Sequence, residues 1–424
     1  MILVPEPLRI PAFRAYWIAR LASTIAQMAM VIVIGWQVYD IARETMDVKD
    51  AALRLGFIGV VQFVPLFALS LVAGWTADRV DRRFIARAAV ALELGCAVAL
   101  AAVTWSGAIS LIWLYGIAAL LGVARAFAGP ALGALAPNLV PARLLPNAIA
   151  LSSIAWQAGT VVGPAFGGYL YAVGPATPYT ASAILFGVAL IGLFLIPSVK
   201  RPTLEKGGNP WAEVGDGLRY VRRNRLVLGA ISLDLFAVLL GGATAMLPIF
   251  ARDILHTGPE GLGHLRAAPA VGATLTAMWF AFRPLKTNVG VKMLLAVAVF
   301  GGATIIFGFS RSMPLSLACL FLLGAADMLS VYVRQSLIQI YTPDAMRGRV
   351  GAVSTLFISA SNELGEAESG FLAALVGPVV AVVGGGIGAI IVVGLWAWRF
   401  PELRLARSFA PPNVDPAPAT ENAR

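Results

Sequence analysis

The chain has 424 residues, of which 59% are hydrophobic and 13% charged, with a mean hydropathy of +0.81 and a formal net charge of +10. Soluble domains average about 25% charged residues, so this composition excludes a water-soluble globule and predicts a chain solvated by lipid. The two cysteines, Cys96 and Cys319, fall in different apolar runs and supply no disulfide or metal framework.

Apolar runs of about 20 residues cross a hydrocarbon core of ~30 Å as helices. Twelve are predicted: 14–39, 53–77, 84–104, 109–136, 148–173, 179–197, 227–251, 264–285, 288–309, 314–341, 350–375 and 378–400. The alternation of a membrane β-barrel is absent. The expected fold is an all-α polytopic membrane protein. Residues 1–13 lead straight into a full-length first span, with no cleavable signal expected.

On the first span, Arg20, Thr24 and Gln27 fall on one face as a polar stripe. Between the second and third spans, residues Gly74 to Arg83 hold a glycine, acids and arginines in a tight turn. Such a turn between two membrane-length helices is hard to explain as packing, and it reads as a cytoplasmic gate. Gly74 permits close helix approach, and Asp78 can face the positive N-terminal end of the eleventh span near Arg349. Arg79, Arg82 and Arg83 would hold the turn at the membrane surface. The fourth span carries Arg125, with Gly122, Gly129 and Gly133 on its face. In the fifth, Gly159, Gly163, Pro164, Gly167 and Gly168 lie in one run; the proline removes a helix donor, and the glycines admit a close neighbour. Trp156 and Gln157 on the same span could stack on and hydrogen-bond an amphipathic cargo, with plain packing the other account of the tryptophan.

The first six spans, residues 1–197, form one half. Residues 198–226 form a polar linker in which Trp211, Val214, Leu218 and Val221 recur at helical spacing beside Arg219, Arg222, Arg223 and Arg225. That pattern predicts a short helix in the membrane interface. Residues 227–400 carry the other six spans, and 401–424 form a mostly disordered tail, polar and proline-rich from Ala410. His256 and His264 flank the seventh loop with no acid or cysteine cluster beside them, so no metal site is expected. Shifting the sequence by 202 positions lays Pro141 on Pro343, Gly163 on Gly365 and Gly168 on Gly370. An even number of spans separates these copies, which predicts a parallel repeat of two six-helix halves around a midplane site.

Charge placement sets the topology. With both termini cytoplasmic, Arg43, Lys49, Arg54, Arg252, Arg266 and Arg311 fall outside and Arg20, Arg125 and Arg334 within spans, leaving 23 of the 32 basic residues inside. That is the positive-inside bias. The basic balance therefore points to anionic lipid heads rather than nucleic acid. Asp234, Asp327, Glu363, Glu366, Glu368 and Glu93 also lie in spans, each costing about 3 kcal/mol at a helix centre facing lipid. They must face one another or a wet cavity. Asp327 and Arg334 share one face of the tenth span, beside Gln335; Asn362 neighbours Glu363 on the eleventh. Proton-coupled exchange needs a carboxylate that changes protonation state, and burial beside like charge favours the protonated form. Asp327 and Glu363 lead that set, with a static ion pair to Arg125 or Arg20 the alternative for either.

These motifs resemble those of the major facilitator superfamily. Gly74 to Arg83 is similar to its signature of Gly, three residues, Asp-Arg, one residue, Gly and two basic residues, with Asp81 in place of the glycine. Gly159 to Gly168 is similar to the exporter-associated pattern of Gly, three residues, Gly-Pro, two residues, Gly-Gly, which implies antiport-type export. Arg125 to Gly129 is similar to Arg, two residues, Gln-Gly, with Ala128 in place of Gln, and implies a proton-relay role for Arg125. Phe13 to Arg20, Trp36 to Asp40 and Ser361 to Gly370 resemble the enterobactin-exporter-type subfamily, with Ala367 at a position expected to be aromatic.

The resemblance implies a proton-driven exporter of a siderophore or another bulky amphipathic molecule, in a bacterial inner membrane, acting as a monomer. Multidrug or macrolide efflux and lysophospholipid transport are alternatives on the same fold, and an importer or a sensor that has lost transport are others. No Walker loop, His-Glu-x-x-His or Gly-x-Ser-x-Gly run is present. Neither direct use of ATP nor catalysis is expected. The proton gradient is the energy source, and no cofactor is anticipated.

Overall fold

The computed structural model describes residues 5–197, 210–283, 285 and 287–409; within the helices, only the backbone is described at 70, 71, 74, 75, 77–79, 134, 142, 210–214, 281, 344, 345, 352 and 359. Six helices make the first half: α1 Pro11–Thr45, α2 Val48–Arg79, α3 Arg82–Trp105, α4 Leu111–Leu135, α5 Leu145–Val173 and α6 Thr177–Phe194. After α7 Pro210–Arg223 come α8 Arg225–Leu240, α9 Leu247–Ile249, α10 Gly258–Phe282, α11 Val289–Phe309, α12 Met313–Tyr341, α13 Asp344–Val376, α14 Pro378–Arg399 and α15 Pro401–Leu405. No strand occurs among the described residues.

The seventh span is broken. From α8 it passes through a 3-10 turn at Ala243–Met246 and the single turn α9 into a π turn at Phe250–Ile254. The break falls at Gly241-Gly242, where a Cβ on Gly242 would sit 2.8 Å from the Gly365 carbonyl. Ten helical spans among the described residues are long and apolar enough to cross a membrane. The eighth and eleventh predicted spans, α10 and α13, are not among the ten; α10 carries Glu260 and Arg266, and α13 carries Glu363, Glu366 and Glu368.

The two halves repeat one packing scheme. α1 packs on α5 and α6, α2 on α4, and α3 on α4 and α6; likewise α8 packs on α13 and α14, α10 on α12, and α11 on α12 and α14. The halves meet along two seams, α2 with α13 and α5 with α10. A Cβ on Gly370 would lie 2.2 Å from Gly56 Cα, and one on Gly168 would lie 3.0 Å from Gly263 Cα. The repeat-related glycines Gly168 and Gly370 thus mark where each seam closes tightest, since only bare backbone allows that approach.

One end of the bundle, here the terminal end, holds residues 5–10, α7 and α15. The opposite, far end holds the connections after α1, α3, α5 and α13. At the terminal end α2 stays helical through Arg79, so the predicted ten-residue turn shrinks to Val80 and Asp81. Asp81 caps α3 by accepting from Arg83 N–H at 2.9 Å, with φ −58°, so this turn needs no glycine there. α7 turns Gly217 and Val221 onto α13, where a Gly217 Cβ would lie 2.7 Å from the Arg349 carbonyl. Tyr220 Oη donates to the Tyr341 carbonyl at 2.6 Å, and Arg349 pairs with Asp216 at 3.3 Å.

Residues 401–409 correct part of the expected tail: Leu403 and Ala406 are buried, and Gly290 N–H donates to the Ala406 carbonyl at 3.0 Å. Glu402 accepts from Arg225 Nε at 2.6 Å, and its own backbone N–H together with that guanidinium holds its carboxyl below the usual range. Residues 198–209 of the linker and 410–424 of the tail lie outside the described residues.

Candidate functional site

The α2–α13 seam carries charge. Arg125 reaches across from α4 to pair with Glu363 on α13 at 3.0 Å, and its Nη1 donates to Gln62 Oε1 on α2 at 2.8 Å. Close backbone approach sets this geometry. A Cβ on Gly122 would lie 2.8 Å from the Gln62 carbonyl, and one on Gly59 would lie 2.8 Å from the Glu363 carbonyl. One turn toward the far end, Arg266 on α10 pairs with Glu366 at 3.5 Å and donates to the Thr244 carbonyl at 2.9 Å. Arg266 therefore belongs to the bundle interior and not to an outer loop, because α10 starts six residues before the predicted span. A cavity of about 40 Å³ lies between the halves here, lined by Ile58, Gln62, Pro248, Arg266 and Glu366 among others. Behind the seam, Gln27 Nε2 donates to Glu93 Oε1 at 3.1 Å.

Among the described residues the α5–α10 seam carries no ion pair. Gln157 donates to Thr274 Oγ1 at 2.8 Å, and Tyr169 meets His264. The glycine-proline run divides between two neighbours. Gly159, Gly163 and Gly167 press on Thr24, Ile25 to Met28 and Ala29 of α1, while Gly168 presses on Pro259 and Gly263 of α10. Pro164 lies buried in this run, its carbonyl close against Gly263. Trp156 is 47% exposed and shares a face with Ser153 and Thr160, between the α1-facing and α10-facing sides.

At the far end the halves are locked by two crossed ion pairs. Asp40 and Arg43 come from the end of α1; Arg252 and Asp253 come from the π turn. Arg43 pairs with Asp253 at 3.2 Å and donates to the Met46 carbonyl at 2.8 Å; Arg252 pairs with Asp40, and Tyr39 Oη donates to Asp253. The extra residue of a π turn re-aims side chains, and here it carries two consecutive charges beside α1. Charge placement in the sequence puts Arg43 and Arg252 on the outer side and does not reveal this lock. The available signal was an acid and a base near the end of each repeat-related span.

Other predicted residues are not brought to the seams. Asp234 and Arg334 form an ion pair inside the second half, with side chains 9% and 3% exposed. Thr24 is buried, and its hydroxyl is spent on the Arg20 carbonyl at 2.8 Å. Arg20 is half-buried, with Nε lacking a hydrogen-bond partner. Gln335 is half-buried and Asn362 exposed. Asp327 is half-buried, and among the described residues it has no hydrogen-bond or ion-pair partner. The 202-residue shift lays it on Arg125, so matching positions in α4 and α12 hold opposite charges. Of the gate turn, Arg83 is described in full: it pairs with Asp81 at 2.6 Å and donates to the Ile196 carbonyl at 3.2 Å. Arg82 is half-buried and bonded; the side chains of Gly74, Asp78 and Arg79 lie outside the described residues.

Two six-helix halves, joined by glycine seams around buried charges, define a polytopic membrane carrier of the major facilitator fold. The chain belongs to the transmembrane secretion effector family, whose model matches residues 5–419. It is similar to the enterobactin exporter EntS of Shigella boydii serotype 18, 29% identical over 95% of both chains. The EntS of Escherichia coli O1:K1 is 28% identical over the same shares. In fold it resembles a bacterial homologue of the human lysosomal transporter Spinster in an inward-facing, occupied conformation, at TM-score 0.73 and 16% identity over 96% of this chain and 100% of that one. It also resembles the inward-open xylose transporter XylE of E. coli, at TM-score 0.70 and 14% identity over 92% and 96%.

Proposed function

We propose that this protein exports a siderophore of the enterobactin type by proton-coupled alternating access. The observation that carries the reading is the Arg125–Glu363 pair, a titratable bond that spans the moving boundary between halves. With Glu363 ionised, the pair holds the α2–α13 seam shut and the far end stays locked. A proton arriving from the far side neutralises Glu363 and keeps the far end parted; its release to the terminal side re-forms the pair and closes the far end. Asp327, with no partner, is the second candidate for protonation in this cycle. The strip of exposed Ser153 and Trp156 with half-buried Thr160 offers an aromatic face to an amphipathic cargo, the two hydroxyls being spent on the carbonyls of Ile149 and Trp156. The names of the curated relatives and the glycine-proline run of α5 support export over import.

The reading further puts the protein in the bacterial inner membrane with the terminal end cytoplasmic, supported by the 23 basic residues assigned to that side. It works as a monomer, as a carrier without catalytic chemistry or cofactor, in contact with lipid and not with nucleic acid.

The test uses purified protein in liposomes, with an imposed pH gradient and enterobactin as the probe. Uptake into acid-loaded vesicles, abolished by a protonophore, is the expected result. No uptake of enterobactin, with gradient-driven uptake of a lipophilic cation, would replace the siderophore reading by drug efflux.

A further inference from the structure

We propose that Glu93 is the second carboxylate partner of Arg125, receiving its guanidinium when Glu363 is carried away with the opposite half. The inference rests on the alternating-access reading above. Arg125 and Glu363 belong to different halves, so any motion that parts α2 from α13 stretches the 3.0 Å bond between them. A guanidinium keeps its proton in a protein, and an unpaired charge at mid-membrane is costly. In the open state Arg125 therefore needs an acid from its own half.

The first 197 residues hold eight acids, and Glu93 alone sits at mid-span; the others lie in the terminal segment, in connections or in the outer turns of helices. Glu93 is eleven residues into α3 from the terminal end, and Arg125 is ten residues into α4 from that same end. At 1.5 Å per residue both lie roughly 15 Å deep. α3 packs directly on α4, and Glu93 feels the charge of Arg125.

The setting leaves Glu93 free for this role. It is 2% exposed and takes one hydrogen bond, from Gln27 Nε2. Facing it are Gln27 from α1, Arg125 from α4 and Cys96 from its own helix, while α6 carries no charged residue and Gln62 of α2 is bonded to Arg125. Gln62 belongs to the same half as Arg125, so its bond survives the motion and can steer the guanidinium between its two acids. Glu93 is then a positioning residue for Arg125, stabilising the far-open state.

The test places spin labels at Glu44→Cys and Glu260→Cys, two exposed far-end positions on opposite halves, with Cys96 and Cys319 replaced by alanine. The full chain in lipid nanodiscs is measured in neutral and acidic buffer. In the parent the far-open fraction rises on acidification, and Glu93→Gln reduces the open-to-closed ratio about tenfold, within the usual range of coupling between sites. Glu93→Asp keeps most of the response. In an Arg125→Gln background, adding Glu93→Gln changes nothing further, which a merely structural role would not produce. Opening of Glu93→Gln equal to the parent's, or an equal loss with and without Arg125, overturns the proposal. A parent that never opens at the far end removes the alternating-access reading, and this inference with it.

Discussion

The two seams are built on the same repeat yet use different chemistry. Both close on bare backbone, Gly56 against Gly370 and Gly168 against Gly263. The α2–α13 seam adds Arg125–Glu363 and Arg266–Glu366, whereas the α5–α10 seam adds only Gln157–Thr274 and Tyr169–His264. The amide–hydroxyl bond of Gln157 and Thr274 holds whatever the pH, but the carboxylate–guanidinium attraction vanishes when the carboxylate takes a proton. One seam can therefore answer to protons while the other serves as a pivot. Duplication supplied the geometry, and divergence of a few side chains supplied the coupling.

Substitutions on the two seams should separate these roles. The largest effect is expected from Glu363→Gln, because losing one partner of a buried pair typically costs about 3–5 kcal/mol. Gradient-driven transport should fall to the level of empty liposomes, with a lowered melting temperature that Arg125→Gln in the same chain partly restores. An unchanged pH-gradient dependence would show that the pair is structural. Next, Gly370→Leu and Gly168→Leu should each wedge a seam apart. Both should block closure of the far end, seen as loss of cross-linking between cysteines placed at Glu44 and Glu260, and both should stop transport.

A smaller effect is expected at the far-end lock, where partly exposed pairs are worth about 1 kcal/mol or less each. Asp253→Asn should speed opening a few-fold, as should Asp40→Arg alone, and adding Arg252→Asp to Asp40→Arg should restore the parent rate. The smallest effect belongs to Gln157→Leu on the pivot seam. Hydrogen bonds between membrane helices average about 0.6 kcal/mol, so transport should stay within about threefold of the parent at every pH. A loss comparable to that of Glu363→Gln would erase the distinction between seams.

The Asp234–Arg334 pair offers a control inside one half. Asp234→Asn should lower the melting temperature and the amount of folded protein while leaving transport per folded molecule near normal.

The spans, their number and the repeat were legible in the sequence because hydropathy and glycine spacing are local. The close approach at the glycine-proline run was legible too, since the missing side chains let α1 and α10 press on α5. Of the ion pairs, Arg125–Glu363 stood among the combinations the sequence allows, and the other partners were not legible. Asp234, Asp327 and Arg334 share a few turns of neighbouring spans, and only the packing of α8 on α12 decides that Arg334 takes Asp234. Arg266 looked like a loop residue because the start of α10 is polar, and polarity there marks contact with Glu366 rather than exposure. Asp81 looked like a substitution in a glycine turn, whereas its side chain caps the next helix. The far-end lock joins residues more than 200 positions apart and needs a π turn, which no local pattern announces.

The central claim is that the charge on Glu363 holds the far end closed. The most direct measurement is the Glu44–Glu260 spin-label distance at neutral pH in the parent and in Glu363→Gln. A shift of the variant toward the long, open distance, matching the acidified parent, is the predicted result. A variant that keeps the short distance of the neutral parent would contradict the account.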